Sequence, residues 1–167
     1  MRETAEDLER LQRLLDDGIE QASGFLRSSF QMPERSLSAE QLVARLEGGL
    51  TVALATVTAR GEPRVAPISA FFLHALFYVP TVAESARARH LASRPAASLT
   101  YFERTSLDVI AHGSVEIIPV EHSAFDELDE TQVALGRQSP REWRGQAVYL
   151  QLEPSRLYTY LAPDGAG

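Results

Sequence analysis

The residues best placed to do chemistry in this chain are Ser85, Arg87 and Arg89, in the stretch Thr81–Pro95, TVAESARARHLASRP. A strand-like run, Ala75–Val79, precedes them, and Ser85 reads as the cap of a short helix. A helix start already carries partial positive charge and unpaired N–H groups, so cations there have the wrong sign. Arginines at such a point suit a bound anion, and phosphate fits best. The same residues also read as solvated charges, with Glu84 offsetting Arg87; local sequence leaves both readings open.

A second candidate is Arg64–Ser69, RVAPIS. Pro67 inside a strand removes one ladder donor and leaves nearby backbone groups available to the edge of a flat ring. An edge strand would accommodate the same proline. Other chemistries find no footing. There is no G-x-S-x-G elbow. His74, His90, His112 and His122 are scattered without the i, i+4 spacing of a zinc helix, and each reads as a surface or packing histidine. The carboxylates gather at the N-terminus and in 121–130, as solvated helix faces do. The chain has no cysteine, which excludes disulfides, thiol chemistry and Cys-ligated zinc. All 16 basic residues are arginine, so there is no lysine for a Schiff base, and a phosphate grip must use Arg, Ser, Thr or backbone N–H.

The elements that must position these residues read as follows. Residues 4–30 carry Leu8, Leu11, Leu15, Ile19, Ala22, Leu26 and Phe30 at spacings of 3 and 4, the stripe of one amphipathic helix that Gly18 and Gly24 weaken or bend. After the connector Met32–Arg35, Ser38 with Gln41 forms a capping box and Leu37 with Leu42 a staple for a helix ending at Gly48-Gly49. From Leu50 the texture is β. LTVALATVT, the turn ARGE and PRVAPISAFF make a hairpin; ALFYV is a third strand. Beyond the arginine helix, Ala97–Glu103 is a fourth strand and Leu107–Pro119 a fifth, with a bulge or bend at Gly113. A helix over Glu121–Leu135 and a polar stretch, Gly136–Gly145, precede two final strands, Ala147–Leu152 and Leu157–Leu161. The fold expected is mainly β (α+β), an antiparallel sheet of about six to seven strands closing into a barrel, with N-terminal helices and a few short ones. No G-x-G-x-x-G run argues for a Rossmann sheet.

With 167 residues one domain is expected, and a net charge of −7 argues against nucleic acid or anionic membrane as partner. No apolar run is long enough to cross a bilayer, and the charged start, MRETAEDLERLQRLL, lacks an apolar signal core, so a cytoplasmic protein is expected.

Three stretches, in order, resemble the pyridoxamine 5′-phosphate oxidase-like superfamily, the flavin-binding split β-barrels. They are ALATVTARGEPRVAPIS, LFYVPTVAESARARHLASRPAASLTYF and IAHGSVEII, spanning residues 50–119. The resemblance implies a helical extension at 1–48, a split-barrel domain at 49–163 and a frayed tail at 164–167. It implies FMN, with Arg64, Ser85, Arg87 and Arg89 at the phosphate, Ala66, Pro67, Ile68 and Ser69 at the ring, and Pro80 and Thr81 near both. It also implies a homodimer with the cofactor at the interface, acting on a small-molecule substrate as a flavin-dependent oxidoreductase. The alternatives are a reductase using the deazaflavin factor 420, or a non-catalytic module binding flavin or haem, with His90 or His112 as the haem ligand. Ser69 and Ala86 stand where the family often has Lys and Arg. The substrate-binding arginine pattern of true pyridoxamine-phosphate oxidases is not evident near the C-terminus. Residues 121–146 match no motif.

Overall fold

Alternation of apolar and polar side chains builds this molecule strand by strand. The computed structural model describes residues 3–104 and 106–163; the tail expected to fray, 164–167, lies outside them. Six strands, β1 (Leu50–Val57), β2 (Pro63–Leu73), β3 (Leu76–Val82), β4 (Ala96–Glu103), β5 (Leu107–Pro119) and β6 (Ala147–Leu161), close an antiparallel barrel in the order β1-β2-β3-β6-β5-β4. Inward positions are apolar in nearly every strand: Val52 and Leu54, Phe77 and Val79, Val109 and Ala111, Leu150 and Leu152 share one core. Burying each such side chain contributes about 1.5–3 kcal/mol.

Five helices, α1 (Ala5–Gln21), α2 (Gly24–Ser29), α3 (Ala39–Arg45), α4 (Ala86–Ser93) and α5 (Phe125–Ala134), cover the barrel. Leu11 and Leu15 of α1 and Leu42 and Val43 of α3 join the barrel core. Helix α1 lies so close to β6 that a Cβ on Gly18 would stand 2.5 Å from the Leu157 carbonyl oxygen. The capping box Ser38/Gln41 forms as the sequence predicts. Helix α5 seals a second apolar cluster, with Phe125 and Leu128 against Phe71, Tyr78 and Tyr149.

The structure departs from the sequence reading at three places. The single helix expected over 4–30 is two: α1 stops at Gln21, and Ser23 caps α2 by accepting from the Leu26 N–H, offering the backbone an exit before Gly24. The helix expected over 121–135 begins only at Phe125. The two strands expected at the C-terminus are one, Ala147–Leu161. Pro154 pairs opposite Gly113 and Arg156 opposite His112, so the extra residue sits in a bulge and the strand continues through it.

One asymmetry sets up the site. Strand β2 pairs with β1 over its first eight positions, Pro63 to Ala70. Its pairing with β3 covers only Phe71–Leu73. Beyond Tyr78, β3 runs on against β6 alone. The free edge of β2 and the departing β3 leave a gap, and α4 packs on β1 and β5 with Ala88 and Leu91 buried in the core.

Candidate functional site

A cleft of about 410 Å³ opens at this gap, lined by Leu54, Thr56, Thr58, Arg64, Val65, Ala66, Ala86, Arg87 and His90. Its size is that of a small-molecule site. Three elements supply the lining: the end of β1, the start of β2 and the first turns of α4. Register explains the juxtaposition, since Thr56 pairs with Arg64 and Leu54 with Ala66 across the hairpin. Side chains of one strand parity share one face, which puts Arg64 and Ala66 with Thr56.

Helix α4 begins as its sequence predicts. Ser85 is the N-cap and its hydroxyl accepts from the Ala88 N–H. The Thr81 hydroxyl, buried at the end of β3, donates to Ser85 Oγ (3.2 Å). Arg87 donates from one guanidinium nitrogen to Thr81 Oγ1 at 3.3 Å. No carboxylate pairs with Arg87 among the described residues. Glu84 does not offset it: both Glu84 carboxylate oxygens accept from the Gln146 N–H, at 3.2 and 3.1 Å. Of the two readings open in the sequence, solvated and neutralised arginines or a prepared anion site, this removes the internal counter-ion of the first. The N–H groups of Ala86 and Arg87 are also left without an intrahelical partner at a positive helix end.

Arg64 lies on the opposite wall. It is held by Glu62, 2.8 Å from guanidinium to carboxylate, and it donates to the Pro63 carbonyl. His90, one turn beyond Arg87, sets Nδ1 3.1 Å from Thr56 Oγ1.

Of the residues singled out in the sequence, Arg64, Ala66 and Arg87 line the cleft. Ser85 and Thr81 stand behind Arg87 as its supports, and Pro80 is buried beside Thr81 in β3. Ile68 shares the parity of Ala66 and packs on the core from its half-buried position. Pro67 and Ser69 are exposed on the opposite parity of β2, along the edge that has no strand partner. Arg89 is exposed and is not part of the cleft wall. The sequence alone did not single out Thr56 and Thr58, and it offered His90 as a surface or packing histidine or, in one alternative, as a haem ligand. A signal existed: along LTVALATVT the inward positions run Leu50, Val52, Leu54 and then Thr56, a polar residue where the apolar alternation calls for another aliphatic.

Other hollows lack this chemistry. A larger, open groove beside Ala96 and Gly113 faces one arginine, Arg94, with a carboxylate, Glu153. A smaller hollow beside α3 is mainly apolar and includes Glu3 and Glu47. No group of three or more His, Asp or Glu residues able to hold a metal ion occurs among the described residues. No described helix is long and apolar enough to cross a membrane.

The segment 121–146, which no motif explained, ties the barrel end to the site. Arg137 donates to the carbonyls of Leu50 and Ala70, the last register pair of the hairpin. Asp129 accepts from the hydroxyls of Ser139 (2.7 Å) and Tyr149 (3.3 Å). Burial and the Asp129 charge both push the Tyr149 phenol upward. The segment then returns to α4 through the Glu84–Gln146 bond.

Comparison with known proteins gives a consistent answer. Residues 38–160 match the family model described as pyridoxamine 5′-phosphate oxidase. A conserved hypothetical protein from Mycobacterium tuberculosis superposes with a TM-score of 0.67 at 16% identity, over 81% of this chain and 94% of that one. An F420 reductase superposes with a TM-score of 0.56 at 19% identity, over 68% and 93%. A pyridoxamine 5′-phosphate oxidase-related, FMN-binding protein from Nostoc punctiforme PCC 73102 superposes with a TM-score of 0.50 at 19% identity, over 65% and 73%. At these identities the likeness is one of fold. No curated protein sequence matches the chain significantly.

Proposed function

The chain belongs to the pyridoxamine 5′-phosphate oxidase family, and from that premise we propose that it is a flavin-dependent oxidoreductase that binds FMN in the cleft between β2 and α4. The observation that carries this reading is Arg87, a half-buried guanidinium without a carboxylate partner among the described residues, at the open first turn of α4 and across from Arg64. The donor set fits a phosphate: two guanidiniums, two helix N–H groups with no intrahelical partner and the hydroxyl of Thr58. Thr81 and Ser85 hold Arg87 in place, and Arg89 adds positive field from outside the wall. The unpaired edge of β2 at residues 66–69 offers backbone groups to a flat ring, with Pro67 interrupting the donors there. When bound, the flavin supplies hydride or electron transfer, and the protein binds, orients and shields it.

A homodimer belongs to this reading. Val57, Val65 and Phe102 are exposed on the outward parity of the β1–β2–β4 sheet, and Val65 also borders the cleft. A second copy placed there would cover these apolar side chains and close the mouth. The likeness to the F420 reductase favours one alternative, a deazaflavin-dependent reductase using the same phosphate grip. An absorbance spectrum of the protein as isolated, followed by parallel titrations with FMN and factor 420, tests both. Flavin or deazaflavin absorbance, or saturable binding, is expected. A colourless protein that binds neither cofactor would overturn the proposal.

A further inference from the structure

We propose that His90 is a third anion-binding group of this cleft, oriented by Thr56, and that it makes phosphate binding tighten as the pH falls. The proposal rests on the phosphate reading of the cleft. His90 follows Arg87 by three positions on α4, which places both on one side of the helix, and both line the cavity. Its Nδ1 is held by Thr56 Oγ1 at 3.1 Å. Thr56 is buried, 4% exposed, at an inward position of β1. The ring makes no other hydrogen bond among the described residues, so Nε2 is the atom left for a ligand.

The Thr56 hydroxyl can donate to Nδ1 of a neutral ring, which places the proton on Nε2. It can also accept from Nδ1–H of an imidazolium. In both states Nε2 carries a proton and can donate to a phosphate oxygen. Only the third state, neutral with the proton on Nδ1, cannot, and an anion in the cleft selects against it. The charged groups around the ring are Arg64 from β2, with its partner Glu62 on the adjoining turn, and Arg87 on α4 itself. A phosphate dianion seated between the two guanidiniums favours imidazolium over imidazole, so binding is coupled to uptake of one proton. Thr56 acts as a positioning residue: it touches the ring, and the ring touches the ligand.

The test is titration of FMN by flavin fluorescence quenching in the unaltered chain and in His90→Gln, at constant ionic strength. Riboflavin, which lacks the phosphate, is the control. The ratio of the two FMN dissociation constants cancels the ionisation of the FMN phosphate itself. That ratio is expected to be about tenfold at pH 6 and only about two- to threefold at pH 8. Riboflavin should show no difference. Thr56→Val should reproduce the loss at low pH and Thr56→Ser should restore it, which a purely structural role for Thr56 would not do. A ratio that is constant with pH, or an equal loss for riboflavin, overturns the assignment of His90 while leaving the cofactor proposal intact. Failure of the unaltered chain to bind FMN overturns this inference; the functional reading falls only if factor 420 fails as well.

Discussion

Replacing Arg87 by alanine should weaken FMN binding far more than the same change at Arg89. Arg87 lines the cleft, and its one hydrogen bond among the described residues is a long one to a neutral hydroxyl, 3.3 Å to Thr81 Oγ1. Losing a charge-assisted bond to phosphate costs about 1.5–3 kcal/mol, or roughly 10- to 150-fold in dissociation constant. Losing the Thr81 contact should leave the melting temperature within a degree or two, because that bond is long and goes to a neutral hydroxyl that Ser85 also engages. Arg64→Ala should cost less, about two- to tenfold, because its side chain is 57% exposed and already shared with Glu62. For the same reason Glu62→Gln should tighten FMN binding by about two- to threefold, since Arg64 no longer has to leave a partner. Arg89, exposed and outside the cleft wall, should change affinity by less than about twofold in alanine form. Fluorescence titrations at 0.15 M salt, paired with thermal melts, measure all four. If Arg89→Ala cost as much as Arg87→Ala, or if Arg87→Ala left affinity unchanged in a chain that binds FMN, the anion would not sit where the cleft places it.

Three further outcomes follow from packing and charge. His74 bridges α1 and α5, with Nδ1 3.1 Å from Asp7 Oδ2 and Nε2 3.2 Å from Glu127 Oε1. Burial opposes its charge, but Glu127 and Asp7 outweigh burial and raise its pKa above 6.5; a raised folded value means this stabilisation is complete below about pH 6.5 and fades as pH climbs through it. Burial likewise works against the Asp7 carboxylate, yet bonds from Thr4 and His74 hold its pKa below 3.8, so its share fades only as pH falls through that lowered value. The free energy of unfolding should therefore decline between pH 6.5 and 8.5 by an amount on the order of 1 kcal/mol or less, since Glu127 is exposed, and His74→Asn should flatten that decline in urea unfolding; an unchanged slope in the variant refutes the bridge. Gly113→Ala should destabilise by about 3 kcal/mol or more, because its Cβ would lie 2.0 Å from the Glu153 carbonyl oxygen and only backbone could move; a melt within a degree of the unaltered chain would contradict this packing. Arg137→Ala should cost about 1–3 kcal/mol in urea unfolding by leaving the Leu50 and Ala70 carbonyls without their donor, whereas an effect under about 0.5 kcal/mol would mean that water replaces it.

The barrel was legible because strand periodicity and turn chemistry are local. The hairpin at Thr58–Glu62, the Gly113 irregularity and the caps Ser38 and Ser85 all stand where side-chain pattern and φ preference put them. The errors fell where a tertiary partner decided. Two final strands were expected, but the bulge opposite Gly113 carries one strand through Pro154. The break at Ala22–Ser23 came from a cap inside an otherwise continuous apolar stripe. In the site, the arginines were visible by type, while Thr56 showed only as a break in the apolar alternation, because its importance lies in register with Arg64 and in reach of His90. The role of Glu84 could not be read at all, since its partner, Gln146, is 62 residues away.

The cleft and the fold share one cause. A barrel that paired β2 with β3 along their full lengths would have no open edge at 66–69. The pairing stops at Phe71 because β3, past Tyr78, follows β6, and thirteen register pairs between β5 and β6 anchor that side firmly. Helix α4 then has two tasks with opposite requirements. Ala88 and Leu91 must join the barrel core against β1 and β5, while the turn that starts at Ser85 must stay polar and reachable. An eight-residue helix meets both by burying its middle and leaving its N-terminal turn at the rim, where its unpaired N–H groups and Arg87 converge. The proposed anion site is therefore a product of where β2 and β3 stop pairing, and it is supported from behind by the buried Thr81 and from the side by the Glu84–Gln146 bond.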